Sequence, residues 1–370
     1  MPERHPRPFG PGATGLEADL GKLIEAGLGL TVTRVEPLDS GLGLRRFFRV
    51  ATEGEPPTLI VRVEAPEDPA GRPPGLAPEP PLEPLRKFLA DLGLPVPRRW
   101  GGDATSGTDW LEDFGDCHLA AYVTGIEAPE QHRLYREVLG WIPVLQRATE
   151  SAASLPTYRR RLDRALLAYK GELFSRHSLP LALGRAATGA ERQTVADAFM
   201  RIADVVEAAP RQLAHRDLQS QNVMVREAAA PGPAAGAPAT SPRLGMIDFQ
   251  GAFLAPPEYD LVALLRDSYV ELSDADVTGH LDWITPQLPS APDRSDVQLR
   301  FDLLTVARKG KDHARFVFAG EARNDRRWAE HLPRTTRALR AAAARVAGLD
   351  PALGRLADWI DRLPETPCAG

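Results

Sequence analysis

Cysteine is nearly missing from this chain: only Cys117 and Cys368 occur in 370 residues. A disulfide framework is therefore not expected, and a reducing compartment fits. Aromatic residues reach only 6%. No run of about 18 apolar residues is present to span a bilayer. The stretch Met1 to Gly15 carries proline and arginine but no apolar core, so it reads as a disordered lead-in rather than a signal peptide, and a cytoplasmic location is expected. The eight histidines show no H-x-x-x-H and no cysteine partner at zinc spacing. No G-x-x-x-x-G-K-S/T occurs, which disfavours a P-loop ATPase. Positive charge is not in excess either. With 45 Lys and Arg against 50 Asp and Glu the net charge is −5, so no global basic field recruits nucleic acid or membrane. The sequence leaves the oligomeric state open.

Proline and glycine, in contrast, are plentiful, at 35 and 31 residues, and they punctuate a clear pattern. Leu16 to Leu28 reads as an amphipathic helix, followed by strands at Thr31 to Leu38, Arg46 to Ala51 and Thr58 to Glu64. Pro66 to Pro84 is a proline-dense connection, Leu85 to Leu92 a helix stopped by Gly93, and Thr108 to Glu112 another strand. Beyond it the pattern is mostly helical: Pro129 to Thr149, Pro156 to Phe174, Glu191 to Ala208, Tyr259 to Glu271, Ser295 to Phe318, Asp325 to Ala347 and Pro351 to Leu363. The Ala/Pro/Gly-rich stretch Ala228 to Pro242 reads as a flexible, disordered hairpin extension. The expected architecture is α+β in two lobes: a lead-in over 1–15, a sheet-rich lobe over 16–112, and a mainly helical lobe over 113–370.

The chemistry concentrates in His215-Arg216-Asp217-Leu218-Gln219-Ser220-Gln221-Asn222 and, one apolar strand further on, Met246-Ile247-Asp248-Phe249-Gln250. Phosphoryl transfer from ATP needs a carboxylate to orient and deprotonate the attacking hydroxyl, and oxygen ligands for the magnesium that neutralises the phosphates. The order H-x-D-x-x-x-x-N, strand, strand, D-F supplies them: Asp217 as base, Asn222 and Asp248 as hard oxygen ligands for Mg2+. His215 reads as a brace of the loop. Ser40, Gly41 and Gly43 lie between two strands, where backbone N–H groups could approach phosphates or where an ordinary hairpin turn would look the same. Glu112, Asp113 and Phe114 fall where two lobes would join, and their backbone could pair with adenine. The third strand lacks the expected Lys. Arg62 either replaces it, with Glu79 or Glu83 as partner, or faces solvent from an edge strand.

At these residues the chain resembles the aminoglycoside phosphotransferase-like small-molecule kinases. Within them it is most similar to the cell-wall sugar kinases that phosphorylate N-acetylmuramate and N-acetylglucosamine at the anomeric hydroxyl. The resemblance runs through Arg45-Arg46-Phe47-Phe48-Arg49-Val50, Val63-Glu64-Ala65-Pro66, Leu92-Gly93-Leu94-Pro95-Val96-Pro97 and Leu111-Glu112-Asp113-Phe114-Gly115-Asp116. It continues through the catalytic loop, Ile247-Asp248-Phe249-Gln250 and Tyr259 to Asp267. It implies a two-lobed protein-kinase-like fold, ATP and Mg2+ as cofactors, and a small sugar as acceptor. Gln219 departs from the His or Lys common two residues after the catalytic Asp. Members of the family often lack the strand Lys as well.

Asp260 follows Asp248 by only 12 residues, too short for a protein kinase's activation segment and peptide platform, so a small acceptor is expected. From Asp296 to Arg345 there are 12 Lys and Arg against 6 Asp and Glu. Arg308, Lys309, Lys311 and Arg315 on that stretch either meet an acceptor carboxylate such as the lactyl group of N-acetylmuramate or form a solvated basic face. Arg266 and Asp267 either approach the acceptor or close a salt-bridged helix end. Two rival readings are a kinase of another small alcohol or aminoglycoside and a nucleotide-binding pseudokinase.

Overall fold

A computed structural model describes residues 13–39, 45–64, 77–226, 242–289, 291–323 and 326–365. Helix α1 (Ala13–Leu28) begins inside the expected lead-in. Strands β1 (Thr31–Leu38), β2 (Arg46–Glu53) and β3 (Thr58–Val63) follow. After helix α2 (Leu82–Asp91) come β4 (Arg99–Asp103) and β5 (Thr108–Glu112), closing an antiparallel sheet in the order β1-β2-β3-β5-β4. Leu16, Leu20 and Ile24, four residues apart on α1, bury one helix face against Val50, Leu59, Val61 and Trp110 of the sheet. Strand β4 was not expected, because Gly101 and Gly102 weaken its pattern. The Trp110 ring explains the glycine at 101, where a Cβ would come within 2.6 Å of it.

Past Glu112 the elements are helices α3 (Leu119–Tyr122), α4 (Ala128–Arg147), α5 (Arg164–Leu173), α6 (Leu179–Leu183) and α7 (Gly189–Ala208), then short strands β6 (Gln212–Ala214), β7 (Val223–Arg226), β8 (Arg243–Met246) and β9 (Phe253–Ala255). Helices α8 (Tyr259–Leu265), α9 (Asp274–Ile284), α10 (Arg294–Arg323), α11 (Leu332–Val346) and α12 (Pro351–Asp361) complete the described chain. The fold is α+β in two lobes, with one core around the large sheet and a second running through the helices.

Two expected helices are shorter than their periodicity suggests. Pro156 to Phe174 holds a single 3-10 turn, Pro156–Arg159, and α5 starts only after Asp163, whose carboxylate caps it by accepting from Leu166 N at 2.9 Å. Between them the backbone pairs with β9, Leu254 N donating to Arg160 O and Leu162 N to Leu254 O, each at 2.8 Å. Helix α8 stops at Leu265 because the following residues turn toward the loop after β6, as described next. The stretch expected as a hairpin extension falls outside the described residues except for Pro242, as do Ser40, Gly41, Gly43 and Cys368. Among the described residues no helix is long and apolar enough to cross a membrane.

Candidate active site

The loop leaving β6 is held from beneath by two buried aspartates. Asp260, in the first turn of α8, accepts from His215 N at 2.7 Å and Arg216 N at 3.0 Å. Asp267, just past α8, accepts from Ser220 N at 2.8 Å and from the Ser220 hydroxyl. Each satisfies loop amides that burial would otherwise strand. Burial pushes both carboxyls above the usual range. His215 is fully buried and braces the loop. Its Nδ1 accepts from Asp217 N at 3.3 Å, which leaves Nε2–H to donate to Ile247 O at 3.0 Å. Burial keeps the imidazole neutral, in the tautomer those two bonds require. Arg216 pays for the turn with φ of 83°, a left-handed conformation that non-glycine residues rarely adopt.

This bracing presents Asp217 at the surface of the loop. Burial opposes its ionisation, but Arg308, Arg216 and Lys311 outweigh burial and hold the carboxyl below the ordinary range. The strongest contact is Arg308 Nη2 to Asp217 Oδ1 at 2.9 Å, while Arg308 Nη1 donates to Arg216 O at 2.7 Å. A β hairpin brings the other acidic group alongside. Val223 of β7 faces Met246 of β8 in antiparallel register, so Asn222, just before β7, must neighbour the residues just after β8. Ile247 N donating to Asn222 O at 3.0 Å closes that ladder. Asp248 follows in a left-handed conformation, φ 59°. Burial first, and then the charge of Asp217, raise its carboxyl to about pKa 6.

Those donors suit magnesium. Asn222 Nδ2 is committed to Asp217 O at 2.7 Å, which makes the amide oxygen its atom for a ligand. A carboxyl pushed upward by a neighbouring carboxylate is the electrostatic setting that a divalent cation relieves. Among the described residues no three His, Cys, Asp or Glu cluster into an all-protein metal cage. Two protein oxygens, with water and phosphate oxygens completing an octahedron, is how magnesium is commonly held.

The loop and hairpin floor a cleft of about 740 Å³ roofed by the large sheet, within the size range of small-ligand sites. Ile60 and Leu111 above, Met224 and Ile247 below, form an apolar slot near the lobe junction that the sequence reading did not single out. The side chains of the junction are engaged in holding it together. Glu112 accepts from Arg98 N at 3.0 Å and pairs with Arg226 at 2.7 Å; Asp113 accepts from Arg49 Nε at 2.7 Å. Phe114 is buried under the Arg226 guanidinium, at 4.5 Å, and against Gly245, where a Cβ would stand 2.4 Å from its ring.

Several candidate residues sit elsewhere than expected. Arg62 is neither solvent-facing nor on an edge: β3 lies between β2 and β5, and the side chain is buried with Asp109 at 2.9 Å and Glu64. Glu83 binds Arg86 at 2.6 Å, and Glu79 binds Arg45 and Arg216. Lys309 is fully buried on the far face of α10, on Ser268 Oγ and Asp312, each at 2.9 Å. Arg266 is buried against Asp274 at 2.6 Å and lines a separate pocket with Arg334 and Arg337. Asp267 belongs to the loop's support. Of the acceptor candidates, Lys311 and Arg315 line the cleft beside Asp217, together with Tyr269, Phe316 and Trp328, and Arg308 reaches the cleft bound to Asp217.

A two-lobed fold that gathers Asp217, Asn222 and Asp248 at one cleft between the lobes is the arrangement of a kinase-type phosphotransferase. Residues 34–293 match the model of the phosphotransferase enzyme family, and the chain belongs to that family. It is 28% identical over 346 residues to an N-acetylmuramate/N-acetylglucosamine kinase of Pseudomonas aeruginosa, covering 89% of this chain and 88% of that protein. The fold is shared with choline kinase LicA from Streptococcus pneumoniae (TM-score 0.57, 18% identity, 89% of this chain and 99% of that one). It is also shared with the ADP-bound aminoglycoside phosphotransferase APH(2'')-Ib (TM-score 0.54, 14% identity, 89% and 97%).

Proposed function

We propose that the chain is an ATP- and magnesium-dependent kinase that phosphorylates the anomeric hydroxyl of an N-acetylated amino sugar. The product would be a sugar 1-phosphate for peptidoglycan recycling, made in the cytoplasm where ATP is supplied. The observation that carries the acceptor class is the near-full-length similarity to an N-acetylmuramate/N-acetylglucosamine kinase. The cleft beside Asp217 has compatible chemistry. Phe316 and Trp328 stack nearly parallel, at 10°, and with Tyr269 give apolar faces for a sugar ring. Lys311 and Arg315 stand where a lactyl carboxylate would be attracted.

ADP in the aminoglycoside phosphotransferase of the same fold supports an adenine nucleotide here. Adenine would enter the slot between Ile60, Leu111, Met224 and Ile247. Asn222 and Asp248 would hold magnesium, which when bound neutralises phosphate charge. Asp217 accepts a hydrogen bond from the acceptor hydroxyl and aims its oxygen at the γ-phosphorus. As the new P–O bond forms, the bond from γ-phosphorus to the β–γ bridging oxygen breaks, ADP leaves, and the hydroxyl proton passes to Asp217. A carboxylate held below the usual pKa is a weak base. In a loose transition state this is no obstacle, because proton transfer comes late and orientation contributes most.

The test is turnover of ATP with a panel of amino sugars, aminoglycosides and amino alcohols, with phosphorus NMR assigning the phosphate position. A sugar 1-phosphate is the expected product, and Asp217→Asn should lower kcat about 10²- to 10⁴-fold. Phosphate on an aminoglycoside or amino alcohol alone would overturn the acceptor assignment.

A further inference from the structure

With Arg62 held by Asp109 and Glu64, the cleft still needs a cation for the nucleotide's phosphates. Among the described residues seven cationic side chains line it: Arg45, Arg49, Arg62, Arg216, Arg308, Lys311 and Arg315. Arg49 is bound at the lobe junction to Asp113 and Asp116, each at 2.7 Å. Arg62 is buried on Asp109 and Glu64. Arg308 braces Asp217, and Lys311 and Arg315 rise from α10 on the acceptor side with Phe316 and Trp328. Arg216 is strained into the catalytic loop and stacks over Phe253 at 5.9 Å.

Arg45 differs from all of these. It comes from the sheet roof, one residue before β2, yet its charge is felt by Asp248 on the floor. Glu79, from the segment before α2, binds it there, and Arg45 Nε also meets Glu64 at 3.2 Å. Glu79 is fixed in turn by Arg216 at 3.3 Å and Arg160 at 3.9 Å, and Arg160 Nη1 donates to Gly251 O at 2.8 Å, three residues beyond Asp248. A Cβ at Gly251 would lie 3.6 Å from Glu79 Oε1, so the carboxylate stands directly beside the metal-side turn. Burial opposes ionisation of Glu79, but Arg45 and Arg216 hold it below the usual carboxyl range. The result is a guanidinium positioned by a carboxylate across from Asp248. Its five N–H donors exceed what two carboxylates use through Nε and Nη2.

We propose that Arg45, positioned by Glu79, grips the nucleotide's phosphates in place of the missing strand lysine, and that Arg62 is structural. The inference rests on the adenine-nucleotide reading, and the experiment separates the two. Affinities for ATP, ADP and adenosine are measured by calorimetry on the full chain and on Arg45→Met, Arg45→Lys, Glu79→Gln and Arg62→Met. Comparing nucleotide with nucleoside in the same variant cancels losses of folded protein, because adenosine reports an intact slot. Arg45→Met is expected to weaken ATP and ADP about 10- to 100-fold with adenosine unchanged. Arg45→Lys should recover part of the loss, and Glu79→Gln should give an intermediate one. Arg62→Met should leave the ATP-to-adenosine ratio at the wild-type value. A wild-type ratio in Arg45→Met, or a collapsed one in Arg62→Met, overturns the assignment to Arg45. A wild-type protein that binds no adenine nucleotide overturns the nucleotide reading itself.

Discussion

Replacing Arg308 by methionine separates two roles for the cationic face of α10. In the structure Arg308 is 1% exposed and donates to Asp217 at 2.9 Å and to Arg216 O at 2.7 Å. Arg308→Met fills much of the same space but removes the charge and both donors. Hydrogen bonds to charged groups contribute about 1.5–3 kcal/mol each. The Asp217 side chain keeps 32% exposure toward the cleft, so water recovers part of that loss, and about 2–3 kcal/mol of stability should go. That is a visible share of a typical total of about 5–15 kcal/mol. For catalysis, the carboxylate loses its fixed orientation, and kcat should fall about 10- to 100-fold, since each ~1.4 kcal/mol is tenfold. The pH profile gives the sign. Arg308 favours ionised Asp217, so removing it raises the folded-state pKa. The acidic limb of kcat/KM must then move to higher pH, and activity is lost as pH falls through that raised value. Rates over about pH 5 to 9 with both substrates saturating and then limiting would measure it. Had Arg308 bound the acceptor's carboxylate, KM for an anionic sugar would rise with kcat intact. That pattern, or an acidic limb and melting temperature equal to wild type, would falsify the bracing role.

Two further outcomes follow from the same geometry. Lys311→Ala combined with Arg315→Ala should raise KM for N-acetylmuramate about tenfold while leaving KM for neutral N-acetylglucosamine near wild type; an equal rise for both sugars would count against carboxylate recognition. His313 is buried with its Nδ1 on Ser178 Oγ at 2.8 Å, and burial lowers its pKa to about 4. The unfolded chain takes up that proton first, near pH 6.5, so the contribution is complete above pH ~6.5 and is lost toward pH ~4, at up to ~1.4 kcal/mol per pH unit. Urea melts of His313→Asn across that window should show a shallower pH slope than wild type, and an identical slope would rule the imidazole out as the cause.

The juxtaposition of Asp217, Asn222 and Asp248 was legible because it is local. His215, Asp217 and Asn222 lie on one turn, and the step to Asp248 needs only two strands pairing in register, which apolar runs bounded by polar turns announce. Strands Thr31 to Leu38 and Thr108 to Glu112 were readable to the residue for the same reason. Arg62 was not, since its partner Asp109 lies on β5, and which strand lies beside β3 depends on strand order rather than on any spacing in β3. Glu79 lies in a proline-dense connection with no periodicity, so nothing in the sequence tied it to Arg45. On α10 the helical repeat placed Arg308, Lys311 and Arg315 together, but periodicity cannot say which face meets the cleft. One position away, Lys309 points into the core.

That last distinction changes how the basic segment acts. Its excess of 12 Lys and Arg over 6 Asp and Glu is largely neutralised once the chain folds, because acidic residues arrive from elsewhere. Arg300 meets Glu258 at 2.9 Å, and Arg337 meets Glu271 at 2.6 Å and Glu365 at 3.0 Å; Arg340 meets Glu365 at 2.9 Å, and Arg308 meets Asp217. Within the segment, Arg345 is bound to Asp302 at 2.8 Å and Lys309 to Asp312. On its α10 side the cleft therefore receives its charge chiefly from Lys311 and Arg315, with Asp312 beside Lys311 at 2.5 Å to temper it. A field of that size suits one carboxylate and also tolerates a neutral sugar. A strongly cationic wall would bind the anionic sugar so much better that the neutral one could not compete. Discrimination of about tenfold between the two, rather than a thousandfold, is what two partly compensated cations at a solvated cleft can supply, and it is compatible with a kinase that accepts both.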